Sequence, residues 1–398
     1  MKAPEADAKR SIPASDGFFR SRWVDAPDGV EELDPAQLAP GFRAGGAHCG
    51  LKGGGRTDVG LIVCDAEEVF SAMVLTRNAS AAAPIRVCRK EVDASRVRAA
   101  VVNSGNANAE TGEKGYEDAR AMCEVAARQL DVPAAQVAVA ETGTIGVPLP
   151  IDAVLVGIAE AASGLRPDGG TAFSEAILTT DRWPKRCTLR AGGVTLSAQA
   201  KGAGMIEPNM ATMLCFLQTD AVLEDPRGLL AGAVDRSFNR ITVDGQMSTN
   251  DMVLLQASGT AGRPLPEGLL EAVLMQLAIE IVRDGEGAAR AARVEVSEAA
   301  SVAEAERVAR AIANSPLVKT ALFGRDPNWG RIAQAAGAAL VGEELEELGA
   351  ERIDAADLGG EAEEAEISLR LGRGEQAAHV WFSDLGHDYV RLNAEYTT

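Results

Sequence analysis

The sequence predicts a mixed α/β fold of helices and β-sheets. Short apolar runs of strand length alternate with longer stretches whose apolar residues recur at helical spacing. Glycine pairs and polar turns punctuate them. With 398 residues and 46% hydrophobic content, the chain is long enough for a large, mainly aliphatic core in two or more lobes.

Residues 1–38 are polar, with several Pro and Asp, and read as a variable, mobile extension. Val59 to Cys64, Val69 to Leu75 and Ala99 to Asn103 read as strands. Tyr116 to Leu130 places Met122, Val125, Ala126 and Leu130 on one helical face. Cys187 to Gln199 turns at Gly192-Gly193 and reads as a hairpin. An apolar run from Met213 to Leu217 reads as a strand. Arg227 to Phe238 reads as a helix, Met252 to Ala257 as a strand and Glu267 to Arg283 as a long amphipathic helix. Val302 to Ala313 is a helix that Ser301 and Glu304 open with capping-box spacing. The acidic stretch 342–366 reads as a solvated surface segment. Glu366 to Leu371 and Gln376 to Phe382, joined at Gly372-Arg373-Gly374, read as a late hairpin.

Composition narrows the function. A net charge of −19 argues against nucleic acid, whose phosphates need clustered Lys and Arg, and against an anionic membrane surface. No apolar segment approaches the ~18 residues of a membrane span, and Met1 to Arg10 lead into no apolar signal core. The six cysteines are scattered without a CxxC pair, as in a reduced, cytoplasmic protein. The three histidines have no ligand spacing and no triad partners, so no metal is expected. The chain shows no Walker loop, and its near-misses to GxGxxG (Gly202-Ala203-Gly204, Gly285-Glu286-Gly287) lack the third glycine, so no cofactor is expected either.

The segment Lys201-Gly202-Ala203-Gly204-Met205-Ile206-Glu207-Pro208-Asn209-Met210-Ala211-Thr212 carries the strongest chemical signal. Glycines and a proline lead to a small residue, then a hydroxyl residue, and a strand begins at once. A threonine hydroxyl held in a strained turn can attack the carbonyl before it and convert the peptide bond to an ester, which water hydrolyses. A cut between Ala211 and Thr212 frees an α-amine beside the Thr212 hydroxyl. Such an amine titrates near ~7.7–8.0 and serves as a general base at neutral pH.

Further blocks stand along the chain in order: Gly41-Phe42-Arg43, Asn103-Ser104-Gly105-Asn106-Ala107-Asn108-Ala109, Thr142-Gly143, Thr179-Thr180-Asp181, Ser248-Thr249-Asn250-Asp251, Asp284-Gly285-Glu286-Gly287, Asp326-Pro327-Asn328-Trp329-Gly330-Arg331 and Tyr389-Val390-Arg391-Leu392-Asn393. With the Lys201–Leu214 segment, they resemble the ornithine acetyltransferase (glutamate N-acetyltransferase) family from about residue 39 to the C-terminus. The resemblance implies a self-processing fold of the N-terminal-nucleophile type. Residues 39–211 would become an alpha chain and 212–398 a beta chain opening on Thr212. It implies acetyl transfer from N2-acetylornithine to glutamate through an acetyl-threonine, with acetyl-CoA as a further donor to weigh. It also implies a heterotetramer of two alpha and two beta chains.

By the same resemblance, Thr212 is the nucleophile, and Thr142 with Gly143 stabilises the oxyanion. Thr179, Lys201, Glu286, Asn393 and Thr398 join Thr212 in binding substrate. Glu286 suits the side-chain ammonium of ornithine, and Lys201 a carboxylate. Three residues depart from the family pattern: Glu141 before Thr142, Arg182 after the Thr-Thr-Asp block, and Gln246 before Ser248. A carboxylate at Glu141 is expected to point away from the oxyanion site, and Arg182 would add positive charge if it faced the pocket. Two other readings stay open. One is a self-processing N-terminal-threonine amidase or aminopeptidase with water as acceptor; the other is a specialised acetyltransferase of a secondary pathway.

Overall fold

The computed structural model describes residues 17–207, 213–344 and 347–395. Three sheets carry the architecture. A six-stranded sheet runs Glu31–Glu32, Lys185–Ala191, Val194–Lys201, Leu214–Thr219, Met252–Ala257 and Phe70–Leu75. A four-stranded sheet runs Phe42–Ala47, Val59–Cys64, Ala99–Asn106 and Val137–Thr144. A five-stranded sheet runs Ile241–Thr242, Gln376–Ser383, Ala291–Ala299, Glu364–Arg370 and Ile353–Asp354. The mixed α/β expectation holds, and no helix among the described residues is long and apolar enough to cross a membrane.

The Leu214–Thr219 strand lies at the centre of the first sheet, antiparallel to Val194–Lys201 and parallel to Met252–Ala257. Every residue of it is buried. Side-chain alternation explains why an unbroken apolar run suits this place. Leu214 and Phe216 enter the core shared with the four-stranded sheet. Cys215 and Leu217 enter the core formed with the helix Leu269–Arg283. Phe216 also meets Phe173, from the helix Gly170–Ala176, edge to face at 5.1 Å. The chain therefore enters a fully buried central strand two residues after position 212.

Most elements follow the sequence reading within a few residues. The hairpin Lys185–Ala191 to Val194–Lys201 turns on Gly192 and Gly193 with φ of +58° and +78°. Two left-handed residues in a two-residue turn match the strand twist, and glycine adopts that conformation without steric cost. The helix Val302–Asn314 begins with Ser301 Oγ accepting from Glu304 N at 3.1 Å, while the Glu304 carboxylate accepts from Ala300 N at 2.7 Å.

Three expectations are corrected. Residues 17–38 are not a mobile extension, because Phe18, Phe19, Trp23 and Val24 pack on the core of the six-stranded sheet. Trp23 Nε1 also donates to Glu366 at 2.8 Å, and Glu31–Glu32 forms the sheet's edge. The acidic stretch 342–366 is not all solvated: Leu348, Ile353 and Leu358 are buried, since Ile353–Asp354 pairs with Glu364–Arg370. The late hairpin does not form, as the strand Ala291–Ala299 lies between its two arms, parallel to one and antiparallel to the other. Arg293 and Glu295 hide that strand in the sequence; Arg293 Nε donates to Glu366 across the ladder at 2.8 Å.

Candidate active site

One cavity, of about 150 Å³, collects the ends of elements from all along the chain. Thr142, Gly143, Thr179, Lys201, Glu286 and Asn393 all line it. Six of the residues predicted from sequence thus share one site. Ala211, Thr212 and Thr398 lie outside the described residues.

Thr142 and Gly143 close the Val137–Thr144 strand, whose ladder with Ala99–Asn106 becomes irregular at Gly105 and Asn106. Gly143 has φ +133°, and a Cβ there would stand 2.4 Å from the carbonyl carbon of Gly105. Only glycine fits this position. Adjacent strand residues face opposite sides, so Glu141 points away from Thr142, as expected. Its carboxylate accepts from Asn108 Nδ2 at 2.8 Å and does not line the cavity.

Burial pushes the Glu141 carboxyl up to about 8, against the opposing Asn108 bond. The stability linked to this group is complete below the ordinary carboxylate value and is lost as pH rises through 8, because the unfolded chain gives up the proton first. Glu141→Gln keeps the shape and the Asn108 bond but has no proton to lose. The variant should therefore gain on the wild type between pH ~5 and ~8.5, by up to about 5 kcal/mol, and match it near pH 4. Thermal unfolding of both proteins across that range measures the difference; parallel curves would show that Glu141 does not titrate there.

Lys201 ends the strand Val194–Lys201, lies opposite Leu214 in register, and is only 2% exposed. Its Nζ donates to Thr142 Oγ1 at 3.3 Å. Burial lowers its pKa, while Asp181 opposes the shift. Two aspartates, the part-buried Asp244 and the buried Asp251, hold the chain on either side of residues 208–212. Asp244 accepts from Met205 N at 2.6 Å and Ile206 N at 2.8 Å; Asp251 accepts from Met213 N at 3.0 Å. Burial drives the Asp251 carboxyl well above the usual range.

Glu286 follows the helix Leu269–Arg283, and its N–H donates to Ala203 O at 2.9 Å. Its carboxylate accepts from Thr180 Oγ1 and from Asn393 Nδ2, each at 2.8 Å. Asn393 sits on the C-terminal helix His387–Glu395. A Cβ on Gly204 would come within 2.5 Å of the Glu286 carboxyl carbon, so glycine there leaves room for that carboxylate.

Arg182 does not face the cavity. Its Nε donates to Asp284 Oδ1 at 2.8 Å and its guanidinium to Arg283 O at 2.7 Å, so its charge is spent on Asp284. Gln246 does line the cavity. The sequence reading missed Thr180, Asp244, Asn250 and Tyr389. Thr180, Asn250 and Tyr389 stood inside blocks singled out above, but nothing in the blocks said which member faces the site. Asn250 Nδ2 donates to Ala107 O at 2.7 Å and Glu141 O at 2.9 Å, tying its loop to the end of the Thr142 strand.

Residues 43–398 match the model of the ArgJ family. The chain belongs to that family. It is 44% identical to the arginine biosynthesis bifunctional protein ArgJ of Symbiobacterium thermophilum, an alignment covering 93% of this chain and 100% of the relative. It is 45% identical to the protein of the same name from Thermus thermophilus, covering 91% and 99%. A crystal structure of ornithine acetyltransferase from Mycobacterium tuberculosis, complexed with ornithine, is 36% identical over 45% of this chain and 98% of that chain, with a TM-score of 0.43. The chain is an enzyme, an acyltransferase of arginine biosynthesis.

Proposed function

We propose that the chain cleaves itself between Ala211 and Thr212 and then transfers acetyl from N2-acetylornithine to glutamate. The observation that carries this reading is a single cavity holding Thr142 and Gly143, a buried lysine and a carboxylate. It opens beside the strand that begins two residues after Thr212.

The Thr212 hydroxyl attacks the acetyl carbonyl as the freed α-amine takes its proton. The new C–O bond forms and the C–N bond breaks, and ornithine leaves with that proton on its nitrogen. The α-amine of glutamate then attacks the ester, a new C–N bond forms as the C–O bond breaks, and a proton from that amine passes through the α-amine of Thr212 to its hydroxyl oxygen. One amide is exchanged for another, so no coenzyme is consumed. A second activity, in keeping with relatives named bifunctional, is acetylation of glutamate from acetyl-CoA. Lys201, when cationic, keeps a neighbouring amine from holding a proton, since a like charge disfavours protonation. Thr142 and Gly143 serve the oxyanion, while Glu286 takes the ornithine ammonium with Thr179 and Asn393 beside it. Thr398 completes the binding set. The expected assembly is a cytoplasmic heterotetramer of two alpha chains (39–211) and two beta chains (212–398).

Incubation with N2-acetylornithine alone should add one acetyl group to the fragment that starts at Thr212, and glutamate should remove it. Rapid release of free acetate without glutamate would instead indicate an amidase. In Glu286→Gln the shape stays and the ion pair goes, so KM for N2-acetylornithine should rise about tenfold with less change for glutamate. Equal effects on both substrates would leave Glu286 a loop residue.

A further inference from the structure

Beneath the cavity lies a buried ion network that the reaction itself does not use. Lys185 Nζ donates to Asp181 Oδ1 at 2.7 Å and to Asp284 Oδ2 at 2.6 Å, and all three side chains are fully buried. Arg182 adds its main-chain N–H and its Nε to Asp284 from the half-exposed side. Two carboxylates and two cations therefore balance. Burial alone would lower the Lys185 pKa, but Asp181 and Asp284 outweigh it and keep the ammonium charged. Asp181 is held well below the usual carboxylate range although burial opposes this, because Lys185 and Lys201 both face it.

A buried ion network seldom stabilises a fold more than well-packed apolar side chains would. Its value here lies in what it connects. Asp181 also accepts from Thr179 N at 3.2 Å and from Gly202 N at 2.7 Å, the residue directly after Lys201. Asp284 is two residues before Glu286 and about a hundred residues away from Lys185 in sequence. The segment bearing Thr179 and Thr180, the segment bearing Lys201 and the turn bearing Glu286 thus meet on one ammonium.

We propose that Lys185, bridging Asp181 and Asp284, is a positioning residue that holds the Glu286 turn in register with Lys201 and so sets the pocket's fit to an amine-bearing substrate. This rests on the reading above that Glu286 receives the substrate ammonium. Losing the Asp284 arm of the bridge would let Glu286 drift from the cavity, while Asp181, still paired with Lys185, goes on holding Gly202 and so keeps Lys201 against Thr142. The defect then appears in substrate binding rather than in the chemical step.

Asp284→Asn preserves shape and leaves Lys185 paired with Asp181, so it is the variant least expected to disturb folding; Lys185→Met is the stronger test. KM and kcat for N2-acetylornithine and glutamate, with thermal unfolding, should be measured for each and for the double variant. Asp284→Asn should raise the acetylornithine KM about tenfold, keep kcat within about threefold and spare the glutamate KM. The double variant should bind no worse than Lys185→Met, since both changes break one bridge. A drop in thermal stability with unchanged acetylornithine KM in Asp284→Asn would reduce the network to a structural role and overturn the proposal. Glu286→Gln, run in parallel, separates the two claims. If it leaves that KM unchanged while Asp284→Asn raises it, the ammonium assignment fails and the bridge stands. If only Glu286→Gln raises it, the bridge fails alone; if neither does, both fail.

Discussion

Thr212→Ala should give one uncut chain with no transfer activity. Denaturing electrophoresis of the wild type should show two fragments, the second beginning Thr-Met-Leu-Cys. The proposed cleavage and the proposed transfer draw on the same hydroxyl, and the transfer also draws on the α-amine that cleavage frees. Removing the hydroxyl therefore removes both functions at once. The surroundings support this demand: Met205, Ile206 and Met213 are tied by their main-chain N–H groups to Asp244 and Asp251, so the bond is flanked by anchored chain. Thr212→Ser keeps the hydroxyl but loses the methyl that restricts its rotamer, and should cut more slowly. A wild-type chain that is intact and fully active would sink the cleavage proposal.

Thr142→Ala should lower kcat roughly 10²–10³-fold with KM nearly unchanged, the typical cost of removing one oxyanion donor. Lys201 Nζ donates into the Thr142 oxygen, and among the described residues none accepts the Thr142 hydroxyl proton. That proton is available to an oxygen in the cavity. Thr142→Ser, which keeps it, should recover most of the rate. Gly143→Ala is a different experiment: its Cβ would collide with the Gly105–Asn106 main chain, so misfolding would obscure any loss of an N–H donor. Unaltered kcat in Thr142→Ala, with Lys201 still in place, would remove Thr142 from the oxyanion role.

Much of the secondary structure was legible because it rests on local pattern. Val59–Cys64 and Met252–Ala257 are mainly apolar runs of strand length, and the structure bounds them at the same residues. The Gly192-Gly193 turn and the Ser301 cap depend on neighbours within a few residues. Ala291–Ala299 escaped because its alternating Arg293 and Glu295 resemble a polar loop until partner strands stand on both sides. Phe42–Ala47 escaped because its glycines weaken any strand signal; Gly45 and Gly46 are there to admit the backbone carbonyls of Ala161 and Ala172.

By itself, the sequence determined the mixed α/β class and the apolar run Met213–Leu217 after Thr212, which depend on residue type and short spacing. Its resemblance to the ornithine acetyltransferases marked Thr142, Gly143, Thr179, Lys201, Glu286 and Asn393 as candidates. The tertiary structure alone decided that those six line one cavity, that Glu141 and Arg182 turn away from it, and that Lys185 joins Asp181 to Asp284 beneath it. The physical reason is range. A side chain's direction follows from strand register, and a buried charge is settled by whichever opposite charge the fold brings within hydrogen-bonding distance. Neither is encoded within a few residues of the group concerned.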